Sequence, residues 1–468
     1  VAVTTLLPRT ISTLHVSGCL VAHKLAHLTS LETLIVNRDI SVNRLELPAS
    51  LKHCHLLCAK WLDWERMATL PPLLTLALRR GVLPAAVAAL PCSLQSLDLT
   101  ATNGLRVAGV SFAHLAALHH VAVAGTGITN AVLATLPAGV LTLDVSNCQR
   151  LTPDVTFHHL GALVALRANG TSVSDETLMT GMPPSVVLLG IGCCRNVTAA
   201  ATCAVLPALR QLDVSKTAVG VDMLTSLPVG LRDLDVSYCS NIDATARLSH
   251  LPNLRAISCS VTGISDTTIA SCPPTLRYLR ADGCRALTDA LDLAHLPELA
   301  ALDVTSSSIG DGMLGRLPLS LQRLELAGTK LTPAAALPPL PRLTCIIAYR
   351  TAVGATFLAS LPPTVAHLNV EWCCNMRVSD AVAAWQSLVD SDTLDRLAEC
   401  RVCDGDCPPR VAAMLKVRGV CFGSSSSHTC AAPFPTLLRP EWRRRVDDPF
   451  APWIDDDVCS DDAKDAQP

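Results

Sequence analysis

Apolar residues recur along this chain at spacings of three and then two. The stretch Leu209-Arg210-Gln211-Leu212-Asp213-Val214-Ser215-Lys216-Thr217-Ala218-Val219 sets the form L-x-x-L-x-V-x-x-T-x-V. It returns one period later as Leu231-Arg232-Asp233-Leu234-Asp235-Val236-Ser237-Tyr238-Cys239-Ser240-Asn241-Ile242. Anchored on the first apolar residue of each unit, the pattern opens degenerately at Ile11, Leu31, Leu51 and Leu73, where Cys54 and Ala59 replace a leucine and a closing residue. It then runs regularly from Leu94 to Val365. The period of roughly 20 to 24 residues gives about 17 units, each long enough for one strand, one turn and one return leg.

The L-x-x-L-x-V segment reads as a short strand whose anchors point inward, stacked in parallel on the strands of neighbouring units. The return leg opens with Ser174-Asp175, Ser265-Asp266 or Ser379-Asp380 and closes as in Leu224-Thr225-Ser226-Leu227-Pro228 or Leu314-Gly315-Arg316-Leu317-Pro318. A Ser/Asp start, leucines three apart and a terminal proline predict a short convex helix or 3-10 turn. Between the two legs lies a closing residue that alternates: Thr126, Cys148, Thr171, Cys194, Thr217, Cys239, Thr262, Cys284, Ser307. Threonine can bond backbone left unpaired at such a turn, and cysteine fills a small apolar space with a weak donor. Cys units carry one extra residue before the next apolar anchor, so the underlying unit is a pair of about 45 residues.

Cys284-Arg285-Ala286-Leu287-Thr288-Asp289 and Cys148-Gln149-Arg150-Leu151-Thr152 resemble the C-x-x-I-T-D signature of the cysteine-containing leucine-rich repeats in F-box-type ubiquitin-ligase receptors. Similar alternating units occur in leucine-rich repeat families of protozoa. The resemblance covers roughly residues 10–378 and implies an α/β leucine-rich repeat solenoid. That is a horseshoe with a parallel concave sheet and short helices or 3-10 turns on the convex side. The sequence ahead of the repeats has no F-box-like stretch, so the ligase role does not carry over with the fold. The expected divisions are degenerate repeats over 1–93, regular repeats over 94–378, a helical cap over 379–420 plugged by Trp385, and a mobile tail over 421–468. The cap is expected because a solenoid must cover its last core layer, and the tail because its composition turns to Ser, Pro and Asp.

Composition narrows the function. With 50% hydrophobic but only 3% aromatic residues among 468, the core must be filled by Leu, Val and Ala in small repeated layers. A net charge of -3 gives no general affinity for phosphates, so nucleic acid is not expected as a partner. No uninterrupted apolar run reaches the roughly 18 residues of a membrane span. Of the 21 cysteines, Cys148, Cys194, Cys239 and Cys284 recur in one repeat column, which argues for free thiols in a reducing, cytoplasmic setting. The sequons Asn169-Gly170-Thr171 and Asn196-Val197-Thr198 mildly oppose that. The chain opens at Val1 inside the pattern, so a preceding segment or signal peptide is left open.

A repeat array offers a broad surface with no enclosed pocket, which suits macromolecular partners. The expectation is a monomeric, non-catalytic scaffold or adaptor for a protein partner. A ubiquitin-ligase substrate receptor and an extracellular adhesion ectodomain stand as alternatives. The candidate surface is the outward strand column: Asp98, Asp144, Arg167, Asp213, Asp235, Arg280, Asp303 and Glu325, flanked by Gln211, Asp233, Tyr278, Asp282, Arg323 and Glu371. Carboxylates on strands about 4.8 Å apart repel one another and attract a basic partner. Charge reversal at Asp213 and Asp235 is then expected to weaken binding and spare thermal stability. The competing reading is that these acids belong to the repeat consensus and bond neighbouring backbone or the interspersed arginines.

Cys400, Cys403 and Cys407, with Cys421, His428 and Cys430 beyond, have spacings that zinc sites use, but only the first pair is regular, and unligated thiols are the competing reading. His23, His27, His119, His120, His158 and His159 have no fixed acid or nucleophile beside them, and no phosphate loop or nucleophile motif occurs. No cofactor and no catalysis are expected. Trp442-Arg443-Arg444-Arg445, next to Asp447-Asp448, reads as a solvated basic segment neutralised by the acids that follow.

Overall fold

A computed structural model describes residues 7–16, 25–36, 46–56, 70–79, 86–102 and 110–373, and beyond them 383–386, 388, 397 and 399–401. The described residues form two compact units, one running to Leu209 and one beginning at Arg210.

In the first unit, β1 (Thr13–Val16), β2 (Thr33–Val36), β3 (His53–Leu56), β4 (Thr75–Leu78), β5 (Ser96–Asp98), β6 (His120–Ala122), β7 (Thr142–Asp144), β8 (Ala165–Arg167) and β9 (Leu188–Gly190) pair in sequence order. The second unit stacks β10 (Gln211–Asp213), β11 (Asp233–Asp235), β12 (Ala256–Ser258), β13 (Tyr278–Arg280), β14 (Ala301–Asp303), β15 (Arg323–Glu325), β16 (Cys345–Ile347), β17 (His367–Asn369) and β18 (Glu399–Arg401). Every pairing is parallel, with the central residues in register, as in Leu212↔Leu234 and Leu234↔Ile257. β1 to β17 each begin two residues after an anchor read from the sequence. That register puts Leu97, Leu143, Leu234, Leu302 and Leu368, each no more than 2% exposed, into one continuous inner column per unit.

The alternation in the sequence is an alternation of structure. α1 (Asn130–Leu133) and α2 (Asp175–Thr180) follow Thr126 and Thr171. In the second unit α3 (Val221–Thr225), α4 (Asp266–Ala270), α5 (Asp311–Leu314) and α6 (Ala355–Ala359) follow Thr217, Thr262, Ser307 and Thr351. The return legs after Cys148, Cys194, Cys239 and Cys284 turn without a helix. Ser174 and Ser265 close capping boxes with Thr177 and Thr268. Ser379 and Asp380 lie outside the described residues.

The Thr-Asp of the signature ties successive legs together. Asp175 at the start of α2 accepts the Thr198 N–H at 2.8 Å and its hydroxyl at 2.6 Å. Asp266 accepts the Thr288 N–H at 2.9 Å, and Asp289 next to it accepts the Met313 N–H of α5 at 3.0 Å. Each unit therefore caps the next.

At the closing column, the Thr217 hydroxyl donates to the Val214 carbonyl at 2.6 Å, and the Cys239 thiol of the next unit donates to the same carbonyl at 3.2 Å. Thr126 with Cys148 and Thr171 with Cys194 repeat this around Val123 and Ala168. Thr262 with Cys284 and Thr351 with Cys373 do so around Cys259 and Ala348. A carbonyl has two lone pairs, and here both are used by one Thr and one Cys. The residue before the closing position takes a left-handed backbone, as glycine at Gly125, Gly170, Gly283 and Gly328, but also as Lys216, Tyr238 and Val261.

Beyond the regular repeats, 383–386 are helical and Trp385 is fully buried. The segment expected to be a helical cap also holds a strand: β18 pairs parallel with β17, setting Cys400 against Leu368. Leu397 and Cys400 are buried in the two anchor columns. No helix among the described residues is long and apolar enough to cross a membrane.

Candidate functional site

The first and third residues of each strand, and the residue two further on, face outward from the sheet. The acids of the third column are far less available there than the alternation of a strand suggests. Asp98, Asp213 and Asp303 are 3%, 1% and 4% exposed. Each turns its Oδ1 back to the N–H two residues on: Thr100 at 2.8 Å, Ser215 at 3.0 Å and Thr305 at 3.0 Å. Asp144 and Asp235 bond Ser146 and Ser237 in the same way, at 2.9 and 3.0 Å. An aspartate or asparagine that satisfies backbone two residues ahead is a local turn device, and Asn369 takes the same role toward Glu371.

The fold therefore does not leave Asp213 free. Its carboxylate also accepts the Ser215 hydroxyl at 2.6 Å. A lysine at 213 would lose both bonds and bury an ammonium group, so charge reversal there costs stability, contrary to the expectation from sequence.

In and beside the third column, Arg79, Arg167, Arg280 and Arg323 pair with neighbouring acids. In the first unit Arg79 Nε meets Asp98 Oδ2 at 2.8 Å and Arg167 Nη1 meets Asp144 Oδ2 at 3.7 Å. Burial raises the Asp144 carboxyl above its usual range despite Arg167.

The densest cluster lies in the second unit, on β13 to β15. Arg280 Nε sits 3.1 Å from Asp282 Oδ1 and 3.5 Å from Asp303 Oδ2, and Arg323 Nε sits 2.7 Å from Glu325 Oε1. Ser260 donates to Asp282 in a short bond. Three carboxylates thus share two guanidiniums. Burial, Glu325 and Asp282 together push the Asp303 carboxyl up to about 7. Tyr278 is half-buried on β13, and Glu371 is 8% exposed.

At the other edge of the same face, Asp233 is also pushed to about 7, by burial working against Arg255, Arg232 and a bond from Gln211. The arginines involved were not singled out from sequence. Arg210, Arg232, Arg255 and Arg277 each directly follow the anchor leucine in four successive units. That recurrence was a legible signal.

The remaining sequence candidates separate. Cys400 is buried on β18, while Cys403, Cys407, Cys421, His428 and Cys430 lie outside the described residues. Among the described residues no group of three or more His, Cys, Asp or Glu is placed to hold a metal. His120 Nδ1 is 3.0 Å from the Thr142 hydroxyl, and burial lowers its affinity for a proton. Of the sequons, Thr171 is buried with its hydroxyl on Ala168, and Asn169 Oδ1 accepts the Gly192 N–H at 2.6 Å. Asn196 and Thr198 are exposed.

No protein-family model matches the sequence, and no curated protein does. Solved structures resemble the fold. The TLR13–ssRNA13 complex matches with a TM-score of 0.53 at 16% identity, over 81% of this chain and 65% of that one. YopM from Yersinia enterocolitica is 22% identical over 78% of this chain and 74% of its own, with a TM-score of 0.48. InlJ from Listeria monocytogenes is 14% identical over 74% of this chain and 70% of its own, with a TM-score of 0.43. At these identities the likeness is one of fold, and TLR13 carries it.

Proposed function

Because the chain is a leucine-rich repeat solenoid, we propose that it is a non-catalytic interaction scaffold whose second unit receives a basic segment of a protein partner on the outer face of β13 to β15. The observation that carries this reading is the cluster of Asp282, Asp303 and Glu325 around Arg280 and Arg323, the two cations that pair with them among the described residues. Burial first, and then Glu325 and Asp282, hold the Asp303 carboxyl near 7, and the repulsion among the three acids is relieved when a further cation arrives, so a lysine or arginine from outside binds there with electrostatic gain. TLR13 was solved with ssRNA13, but on this face a phosphate backbone would meet the carboxylates, so the charge here favours a basic peptide. Packed, unpaired thiols at Cys148, Cys194, Cys239 and Cys284 favour a reducing compartment, and the buried Thr171 disfavours glycosylation at Asn169.

The test is fluorescence anisotropy of a labelled Lys/Arg-rich decapeptide against the full chain across a salt series. Asp282→Lys with Glu325→Lys should weaken binding at least ten-fold, and Asp282→Asn with Glu325→Gln should weaken it in the same direction with less disturbance of Arg280 and Arg323. Affinity that ignores both salt and these substitutions would sink the reading.

A further inference from the structure

The acidic band has a basic border. Arg210, Arg232, Arg255 and Arg277 occupy the position just before β10, β11, β12 and β13. They are locked into one row by the backbone: the N–H of Arg232, Arg255 and Arg277 each donates to the carbonyl of the preceding arginine at 2.7 Å. Arg255 and Arg277 are exposed, and Arg210 and Arg232 are half-buried. Three steps of about 4.8 Å make a line of positive charge about 14 Å long.

This row is not a product of the repeat consensus. The same position holds Leu141, Val164 and Val187 in earlier units and Ala300, Gln322 and Thr344 in later ones. The side chains lean toward the residue before the next anchor. Arg210 lies against Gly230, where a β-carbon would meet Nη1 at 2.1 Å, and Arg277 pairs with Glu298 at 2.9 Å. The corresponding residues beside Arg232 and Arg255 are Asn253 and Thr275, which carry no charge and bond backbone carbonyls. Neither arginine makes an ion pair within 4.0 Å among the described residues, and the acid facing them is Asp233. Burial pushes that carboxyl up to about 7 against the pull of both arginines, so one acid faces two guanidiniums.

We propose that the arginine row is a docking edge for an acidic helical segment of a protein partner. Glutamates at i, i+4 and i+7 of a helix stand about 5–6 Å apart, which matches the step of the row over the same length. Each arginine offers a planar fork suited to a carboxylate. The acids of β10 and β11 border the row, so a nucleic acid, wider and charged along both flanks, meets repulsion that a single helix stripe avoids. This edge is separate from the cluster on β13 to β15 and stands or falls apart from it.

The probe is a fluorescein-labelled Ala/Glu helical peptide with glutamates at i, i+4, i+7 and i+11, titrated onto the full chain beside its glutamine counterpart and single-stranded oligo(U). The glutamate peptide should bind in a salt-sensitive way, and R232E with R255E should weaken it at least ten-fold. R232Q with R255Q should weaken it in the same direction, which keeps the test open should the reversal fail to fold. E298Q, which releases Arg277, should tighten it, and D282K with E325K should leave it within two-fold. Equal binding of the glutamine peptide, indifference to both arginine pairs, or oligo(U) displacing the peptide from these arginines would overturn the proposal.

Discussion

Asp303 is where packing and charge on the outer face conflict most, and Asp303→Asn isolates that conflict. Asn keeps an oxygen for the Thr305 N–H now held at 3.0 Å, and removes the charge between Asp282 and Glu325. In the folded chain, burial and those two acids lift this carboxyl from 3.8 to about 7, against the pull of Arg280 at 3.5 Å. A folded-state value above the unfolded one means that the folded chain holds the proton more tightly. The stabilising contribution is therefore full below about pH 4 and disappears as pH rises through about 7. Moving the carboxyl over that interval corresponds to about 4 kcal/mol between the protonation states, an upper bound because Arg280 and Arg323 can readjust.

The assay is hydrogen exchange at the amides of β14 and β15 between pH 5 and 8, corrected for intrinsic rates, in wild type and D303N. Taking the difference cancels other titrating groups, Asp233 included. Wild type should lose local stability relative to D303N across this range, the gap between the two curves widening to the order of a few kcal/mol at pH 8 in favour of the variant. Parallel curves, or a wild type that gains stability with pH, would refute the reasoning.

Two further outcomes follow from the core. Leu234→Ala removes a side chain 2% exposed between Leu212 and Ile257, and should cost about 2–5 kcal/mol by denaturant unfolding, with exchange rising first in β10 to β12. Thr217→Val keeps the shape but loses the donor to the Val214 carbonyl, and should cost about 1–2 kcal/mol. Restoring the hydroxyl with T217S should recover most of that stability, which loss of packing alone would not allow.

The inner half of this fold was open to reading because its constraint is local. A parallel ladder with one residue facing inward per step fixes where each strand starts, so Leu209 predicts Gln211 and Val365 predicts His367. β18 escaped because Cys400 fills the second anchor column, and its spacing to Cys403 and Cys407 reads as zinc-type before Leu397-x-x-Cys400-x-Val402 reads as a strand. The outer half resisted for a different reason. Strand alternation says that Asp213 points outward, but not that the chain two residues on folds over it. The Asp-x-Ser/Thr pair that makes this turn does recur, at Asp98, Asp144, Asp213, Asp235 and Asp303, but the depth to which it buries each carboxylate is not written in the spacing.

That distinction also tells which outer residues bear on function. Aspartates at 98, 144, 213, 235 and 303 recur because each satisfies an N–H two residues ahead, so their recurrence carries no information about a partner. Information lies where a unit departs from its neighbours in the charge it sets on this face. Asp282 stands where Ser215, Ser237 and Ser260 stand in earlier units, and Glu325 stands where a turn-forming aspartate would serve. Arg232 and Arg255 stand where other units carry Val, Ala or Gln. The two clusters of opposite sign are built from such departures, in the stretch of the second unit from β10 to β15. A partner complementary to both would present an acidic helical stripe beside a basic segment, and reversing its orientation would set like charge against like on both borders.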